Sequence, residues 1–524
     1  MLLFFKLLLA GVLMLAACRT GLQEAAMMPT ATTLRVEQTT PMPTPARQVQ
    51  PIATAQTADA PSTPAACQAT AGQMAVSHQV TATVNYSHRR VDVIQRAHYI
   101  NRTNEDLQQI VFNAEPNRWN GVFTLNSASL SGDAELAAYE LTGKALTLEL
   151  VGPLRPGCAV DLVFDYRLIA HPIGESGATA HSGYLGYSER QFNLGNWLLT
   201  AAVRSDGAWI TREATVIGEQ TVLDVADWIV DLELVEAPEN VIVAAPGSSV
   251  QITPTFWRYR HPNARDFTVS MSPFFTVETR DANGIAVELY SFADAEGSDA
   301  VDPAAHALDV AARSLMMYAD LFGPYAAERF VIVEGDFPDG MEFTGLVFVS
   351  GDWFRTYTGS PASYLTMITI HEVSHQWWYA RVGSDQALTP WLDEALATYS
   401  EYIFFEEYYP QFKDWWWQQR VERFVTADYR GPQVDSTVYE FGRIRDYINA
   451  VYLRGARLLH DLRGDLGTDV FFDWLRRYAA AGTDRVVGPG VLWSLLTPEQ
   501  FAGTAATRSS YFRPPAYDDL APGR

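Results

Sequence analysis

The sequence predicts a multidomain protein in which a β-rich, sandwich-like unit over residues 71–282 is followed by an α+β unit over residues 283–485. Three observations carry that reading. Period-two alternation runs through Val80-Thr81-Ala82-Thr83-Val84, Leu146-Thr147-Leu148-Glu149-Leu150 and Val160-Asp161-Leu162-Val163-Phe164, with Gly and Pro turns between the runs. Helical patterning then takes over, beginning with Pro303 to Phe322, while Phe330-Val331-Ile332-Val333 keeps a strand among the helices. A length of 524 residues suggests two or three units rather than one core.

Ahead of these units, Lys6 is the only early charge before the apolar run Leu7 to Leu15. That run is short for a spanning helix and has the three-part form of an export signal over residues 1–17. Leu15-Ala16-Ala17-Cys18 resembles a bacterial lipobox. The resemblance implies cleavage before Cys18, lipid attached to its thiol, and anchoring in the lipid bilayer at the extracytoplasmic face of a bacterial membrane. Residues 18–70 are rich in Thr, Pro, Ala and Gln, as in Pro41-Met42-Pro43-Thr44-Pro45. Too few apolar side chains are present to bury a core, so the stretch reads as a disordered tether. A coil of that length spans roughly 35–40 Å. Cys67 and Cys158 are the other cysteines; export permits a disulfide between them, and two free thiols are the alternative. Residues 486–524 hold a short helix near Val491-Leu492-Trp493 and a Pro-rich end with no role assigned.

The chemistry sits in the α+β unit. His371-Glu372-Val373-Ser374-His375 is followed, after eighteen intervening residues, by Glu394. Histidines four apart on a helix project from one face, so both imidazoles can reach one metal ion. Glu372 is turned roughly 100° about the axis, where it can hold a water beside the metal without becoming a ligand. Glu394 supplies a third ligand from a second helix. Two His and one carboxylate leave a position open, the arrangement of a catalytic zinc site with one Zn²⁺ per chain. The local sequence places both halves on helices. Ser360-Pro361 reads as cap and first position ahead of Tyr364 to Trp378, and Thr389-Pro390 repeats the device before Trp391 to Glu401. Arg381 to Leu388 connects them. Glu401 lies two turns beyond Glu394 and is expected to accept a ring N–H from one of the histidines, fixing its tautomer.

With these residues in place, the chain resembles the gluzincin peptidases of the aminopeptidase-N type. Trp391-Leu392-Asp393-Glu394-Ala395 stands where that family has Trp-Leu-Asn-Glu-Gly, and Val451-Tyr452-Leu453-Arg454-Gly455-Ala456 is similar to its Val-Tyr-x-Lys-Gly-Ala. The match makes Tyr452 the candidate phenol that hydrogen-bonds the developing oxyanion, with Tyr439 and Tyr447 as nearby competitors. Asp339-Gly340-Met341-Glu342-Phe343-Thr344-Gly345-Leu346 falls where the family carries Gly-Ala-Met-Glu-Asn-x-Gly-Leu. The resemblance implies that Gly340 and Met341 line the cleft on an edge strand and that Glu342 recognises the free α-amino group of a peptide substrate. Phe343 in place of Asn removes a polar side chain from a strand expected to face substrate, which opens the way to a relaxed register. The fold implied for residues 283–485 is a thermolysin-like α+β zinc peptidase domain.

Function classes follow from these residues. A formal net charge of −23 argues against nucleic acid and against docking on anionic headgroups. The expected activity is zinc-dependent hydrolysis of the amino-terminal bond of extracytoplasmic peptides. An endopeptidase or dipeptidase of relaxed register stands as one alternative, motivated by Phe343 and by the family's long C-terminal helical domain being missing from the resemblance. A lipid-anchored binding protein with a relict metal site is the other; such relics commonly lose the base or the oxyanion donor, and Glu372 and Tyr452 are both present.

Overall fold

The computed structural model describes Cys67 and residues 73–173, 183–293, 301–426 and 428–522. The export signal, Cys18 and nearly all of the tether lie outside the described residues.

Alternating strands build the N-terminal half. In a seven-stranded sheet, Val76–Asn85 pairs parallel with Ala226–Val235 and antiparallel with Arg90–Ile100. Leu107–Asn113 and Ala145–Leu154 are neighbours in a four-stranded sheet facing it. The period-two pattern sets which side chains meet between the layers. Val80, Ala82 and Val84 point inward from one strand and Leu146, Leu148 and Leu150 from another, all buried. Phe112 and Phe164 close the gap with ring centroids 4.9 Å apart. Each such large side chain contributes about 1.5–3 kcal/mol by leaving water. Cys67 and Cys158 are joined by a disulfide across a sequence separation of 91.

A further five-stranded sheet is ordered Phe275–Ala282, Ile285–Phe292, Arg329–Gly335, Leu346–Ser350 and Gly340–Met341. Its first two strands form a hairpin across Asn283 and Gly284, so the boundary expected at residue 282 falls inside a turn. This sheet of the second unit begins at Phe275. Alternation continues unbroken from one sheet to the next, and period alone does not mark where the chain changes partner.

Helix α1 (Pro303–Phe322) starts at Asp302, whose carboxylate accepts from the Ala305 N–H. Helix α2 (Tyr364–Ser374) is capped by Ser363 rather than Ser360, because the Ser363 hydroxyl accepts from Thr366 N–H. Ser360 and Pro361 make the turn before it. Apolar residues surround α2 on every side, and from Leu365 onward every residue is buried, as such a helix must be. Beyond Ser374 the helix does not run regularly to Trp378. It widens, with Ala380 N–H bonded to the His375 carbonyl, and kinks at Trp378. Helix α3 (Trp391–Tyr408) packs beside α2, and helix α4 (Arg454–Leu466) beside α3.

Two devices fix these helices in place. Arg265, from the N-terminal half, is buried and donates to the backbone carbonyls of Leu223 (2.6 Å), Tyr379 (2.6 Å), Ala380 (3.1 Å) and Arg485 (3.0 Å). Its neighbour Asp266 accepts from the Tyr379 hydroxyl at 2.6 Å and from Thr344 N–H. The turn after His375 and the strand around Glu342 are thereby tied to the same point. At the C-terminus, Trp493, Phe512 and Tyr517 pack around Trp391, and the Trp391 indole donates to the Tyr517 hydroxyl at 3.2 Å. Residues beyond 485 therefore anchor the first turn of α3.

Candidate active site

Helices α2 and α3 bring His371, His375 and Glu394 together. The Nε2 atoms of the histidines lie 3.2 and 3.7 Å from Oε2 of Glu394. Their other ring nitrogens point away from that focus, each to its own carboxylate. His371 Nδ1 is 3.0 Å from Glu401 Oε1, and His375 Nδ1 is 2.6 Å from Asp393 Oδ1. Both Nε2 atoms are thus left to face a metal, with the tautomer fixed from behind. Glu401 has the place expected for it. It is held in turn by Arg420 (Nη2 to Oε1, 2.8 Å) and by the Trp416 indole (3.0 Å).

Glu372 sits beside the focus and not in it. Its Oε2 is buried with no hydrogen-bond partner among the described residues. Gly340 explains how it fits: a Cβ built there would come 2.1 Å from Glu372 Oε1 and 2.4 Å from its Cδ. Only a residue without a side chain leaves room for the Glu372 carboxylate. Tyr452 stands in a widened helical turn, Ile448–Leu453, at the start of α4, with its ring parallel to His371 at 5.7 Å. Burial, then the Glu394 and Tyr447 side chains, raise its pKa well above the ordinary phenol value, so it remains an O–H donor. Gly455, one turn on, allows α4 to approach α3; a Cβ there would lie 2.4 Å from that of Ala395.

Glu342 is buried at the edge strand, 3.4 Å from the Gln386 amide, which also donates to Asp393 Oδ2 at 2.7 Å. Glu219 arrives from the N-terminal half, and carboxylate atoms of Glu219, Glu342 and Glu394 lie within 4.8 Å of one another. Met341 is buried next to Glu342. Phe343 corrects an expectation. It turns away from the site into the N-terminal core, edge-on to Tyr184 at 5.4 Å and against Gly195. Both residues follow the strand Gly340–Met341, where the chain turns Glu342 to the cavity and Phe343 to the core. Phe343 therefore gives no motive for a relaxed register. Sequence reasoning missed Glu219, Gln386 and Arg420; Asp393, read only as a family substitution, holds His375.

The triad, Glu372, Tyr452, Glu342, Glu219 and Arg420 line a cavity of about 390 Å³ that also contains Gly340, Asp339, Ile368 and Tyr447. Its electrostatics follow from burial. Desolvation first, then Glu342, Glu394 and Asp339, push the Glu372 carboxyl well above its ordinary range. Burial does the same to Glu342, with the Glu219, Glu394 and Asp393 carboxylates adding to it. Burial, then Glu394 and Asp393, bring Glu219 up to about 8. Burial also opposes ionisation of Glu394, but its two imidazole neighbours outweigh that and lower its pKa. Two imidazole nitrogens and a carboxylate oxygen at one point, with their second nitrogens tied back and further acids around them, fit a divalent cation. The nitrogen–oxygen donor set with an open position is that of Zn²⁺.

Comparison with known proteins agrees with this geometry. Residues 306–505 match the peptidase family M1 domain, beyond the end expected at 485. That stretch of the chain is thus similar to the M1 metallopeptidases. The chain is 27% identical over 240 residues to the thyrotropin-releasing hormone-degrading ectoenzyme of Mus musculus, across 42% of this chain and 22% of that protein. It is 29% identical over 219 residues to endoplasmic reticulum aminopeptidase 1 of Homo sapiens, across 40% and 23%. The matched stretch is thus about a fifth of the length of these curated relatives. In fold, the chain is similar to the M1 zinc metallopeptidase from Deinococcus radiodurans, with a TM-score of 0.59 at 17% identity over 86% of this chain and 97% of that one. A structure of an M1 zinc metallopeptidase from the same organism bound to a Tyr-Ser-Ala substrate gives a TM-score of 0.58 at 18% identity over 85% and 96%.

Proposed function

We propose that this protein is a zinc aminopeptidase, removing the first residue from peptides with a free amino terminus. The observation that carries the reading is the juxtaposition of a metal triad, His371, His375 and Glu394, with a pair of carboxylates, Glu342 and Glu219, that has no place in the triad. Such a pair matches an ammonium group, and it lies where the first residue of a peptide ends.

Zn²⁺ bound by His371, His375 and Glu394 would supply Lewis acidity to the scissile carbonyl and lower the pKa of water beside it. The protein groups do the rest. Glu342 and Glu219 pair with the α-ammonium and fix one residue ahead of the scissile bond. Glu372 takes a proton from the attacking water as the water oxygen bonds to the carbonyl carbon. The Tyr452 hydroxyl donates to the carbonyl oxygen as charge develops there. When the C–N bond breaks, Glu372 returns the proton to the leaving amine. Activity on aminoacyl reporters is expected to vanish on chelation and return with Zn²⁺, and N-acetylated reporters are expected to be inert. Equal turnover of free and acetylated reporters contradicts amino-terminal recognition.

We also propose that the enzyme works outside the cytoplasm, tethered through lipid on Cys18. The Leu15-Ala16-Ala17-Cys18 pattern supports this, as does the Cys67–Cys158 disulfide, since such bonds persist in oxidising compartments. Cys18→Ser is expected to shift the protein from the membrane fraction to the soluble one; unchanged partition counts against the anchor.

A further inference from the structure

Residues 212–220, between the strands Ala208–Trp209 and Ala226–Val235 of the N-terminal half, lie against the C-terminal half without helix or strand. Val216, Ile217, Gly218 and Glu219 of this strap form one wall of the active-site cavity. The strap is fastened from outside at several points. Arg212 pairs with Asp385, its Nε 3.1 Å from Oδ2. The Tyr439 hydroxyl donates to the Glu213 carbonyl at 3.0 Å. Arg118 donates to the Thr215 carbonyl at 2.5 Å while held by Glu115 at 2.8 Å. Within the strap, buried Gln220 accepts from Thr215 N–H at 3.1 Å and donates to the carbonyls of Ile217 (2.9 Å) and Gly218. At Gly218 the backbone is left-handed, with φ 64°, and a Cβ would lie 2.9 Å from the Tyr447 hydroxyl and 2.8 Å from Val438 Cγ1. The strap is seated as closely as a backbone can be.

We infer that this strap sets the register of cleavage: fastened by Arg212 and Tyr439, it walls off the cleft immediately upstream of the residue that Glu342 and Glu219 hold. The inference rests on the aminopeptidase reading above. A peptide whose ammonium lies between those two carboxylates has its first residue against the triad. A chain continuing upstream would run into the backbone at Gly218 and Glu219. The strap also carries Glu219, so its position determines both the block and the second half of the ammonium site. Arg212 and Tyr439 are positioning residues, acting through Glu219 and the strap backbone without touching substrate.

The test uses the full zinc-loaded chain carrying Arg212→Ala and Tyr439→Phe together. Both side chains reach solvent, so thermal unfolding is expected to match the wild type. Substrates are a hexapeptide with a free amino terminus and its N-acetylated form, with products assigned by mass spectrometry. For the free peptide, KM is expected to rise on the order of tenfold while kcat stays within about twofold, as when a charged ground-state contact is loosened. The acetylated peptide is expected to become cleavable at internal bonds. Arg212→Lys, which keeps the ion pair, is expected to restore most of the wild-type KM. As a readout free of turnover, the Glu372→Gln protein should bind a free tripeptide on the order of tenfold more weakly once the two strap changes are added. Unchanged KM, unchanged register and unchanged tripeptide binding in the strap variants overturn the inference. A wild type that cleaves both peptides equally overturns the aminopeptidase reading, and the strap's role with it; a wild-type preference that survives the strap variants overturns the strap alone.

Discussion

Gly340 shows most sharply how one residue shapes this site, because the space a methyl group would fill is taken by the carboxylate of Glu372. A side chain there forces the base to move while leaving the triad untouched. Gly340→Ala is expected to lower kcat by roughly 10–100-fold at unchanged zinc content, the penalty of a base displaced by about 1 Å. Steady-state kinetics with elemental analysis check it; wild-type kcat counts against the placement of Glu372. At this scale the sequence was most readable where chemistry dictates spacing. Histidines four apart and a glutamate in the next helix leave few geometries, and His371, His375, Glu394 and Glu401 meet as their spacing requires. Residues whose role depends on a distant segment were not readable. Nothing near Glu219 announces that it meets Glu342, more than a hundred residues away. Phe343 faces the core because of how the chain turns after the strand Gly340–Met341, whereas a family motif gives only identity at a position.

At the scale of elements, the helices of the site are positioned by buried polar contacts from outside them. The short helical turn Glu115–Arg118 supports the strap in the same way, through Arg118 and the Thr215 carbonyl. Glu115 contacts Lys144 Nζ at 2.7 Å and Arg118 at 2.8 Å, and accepts from the Thr221 hydroxyl beside the strap. Burial works against its carboxylate, but Lys144 and Arg118 outweigh it and hold the pKa down to about 2, from an ordinary 4.5. A carboxylate with a depressed folded-state pKa gives stability that is complete above its unfolded value and is lost as pH falls through the folded one. Wild type is therefore expected to be more stable than Glu115→Gln at pH 7 by on the order of 3 kcal/mol, with the gap shrinking from pH 4.5 towards pH 2. Urea unfolding across that range measures it, and a gap independent of pH contradicts the assignment. Helix ends were only partly legible. Ser363 caps α2 in place of Ser360, since several Ser and Pro residues there satisfy the same local rule, and the widened turns at Gln376–Arg381 and Ile448–Leu453 leave no composition signal.

Across the whole molecule, the two halves form one catalytic unit because the N-terminal half supplies parts of the site. Arg265 and Asp266 fix the turn after His375 and the strand of Glu342, and residues 212–220 wall the cavity. The broad division into a β-rich half and an α+β half was visible in the change of period. The joint between them was not, for a buried arginine gathering carbonyls from remote turns has no local signature. Everything argued at the smaller scales converges on Glu372 acting as the base beside a metal held by three other residues. The most direct measurement is zinc content together with peptide hydrolysis for Glu372→Gln. One zinc per chain and a loss of hydrolysis by about a thousandfold or more is the predicted result; a variant that keeps its metal and hydrolyses peptides at the wild-type rate would contradict the account.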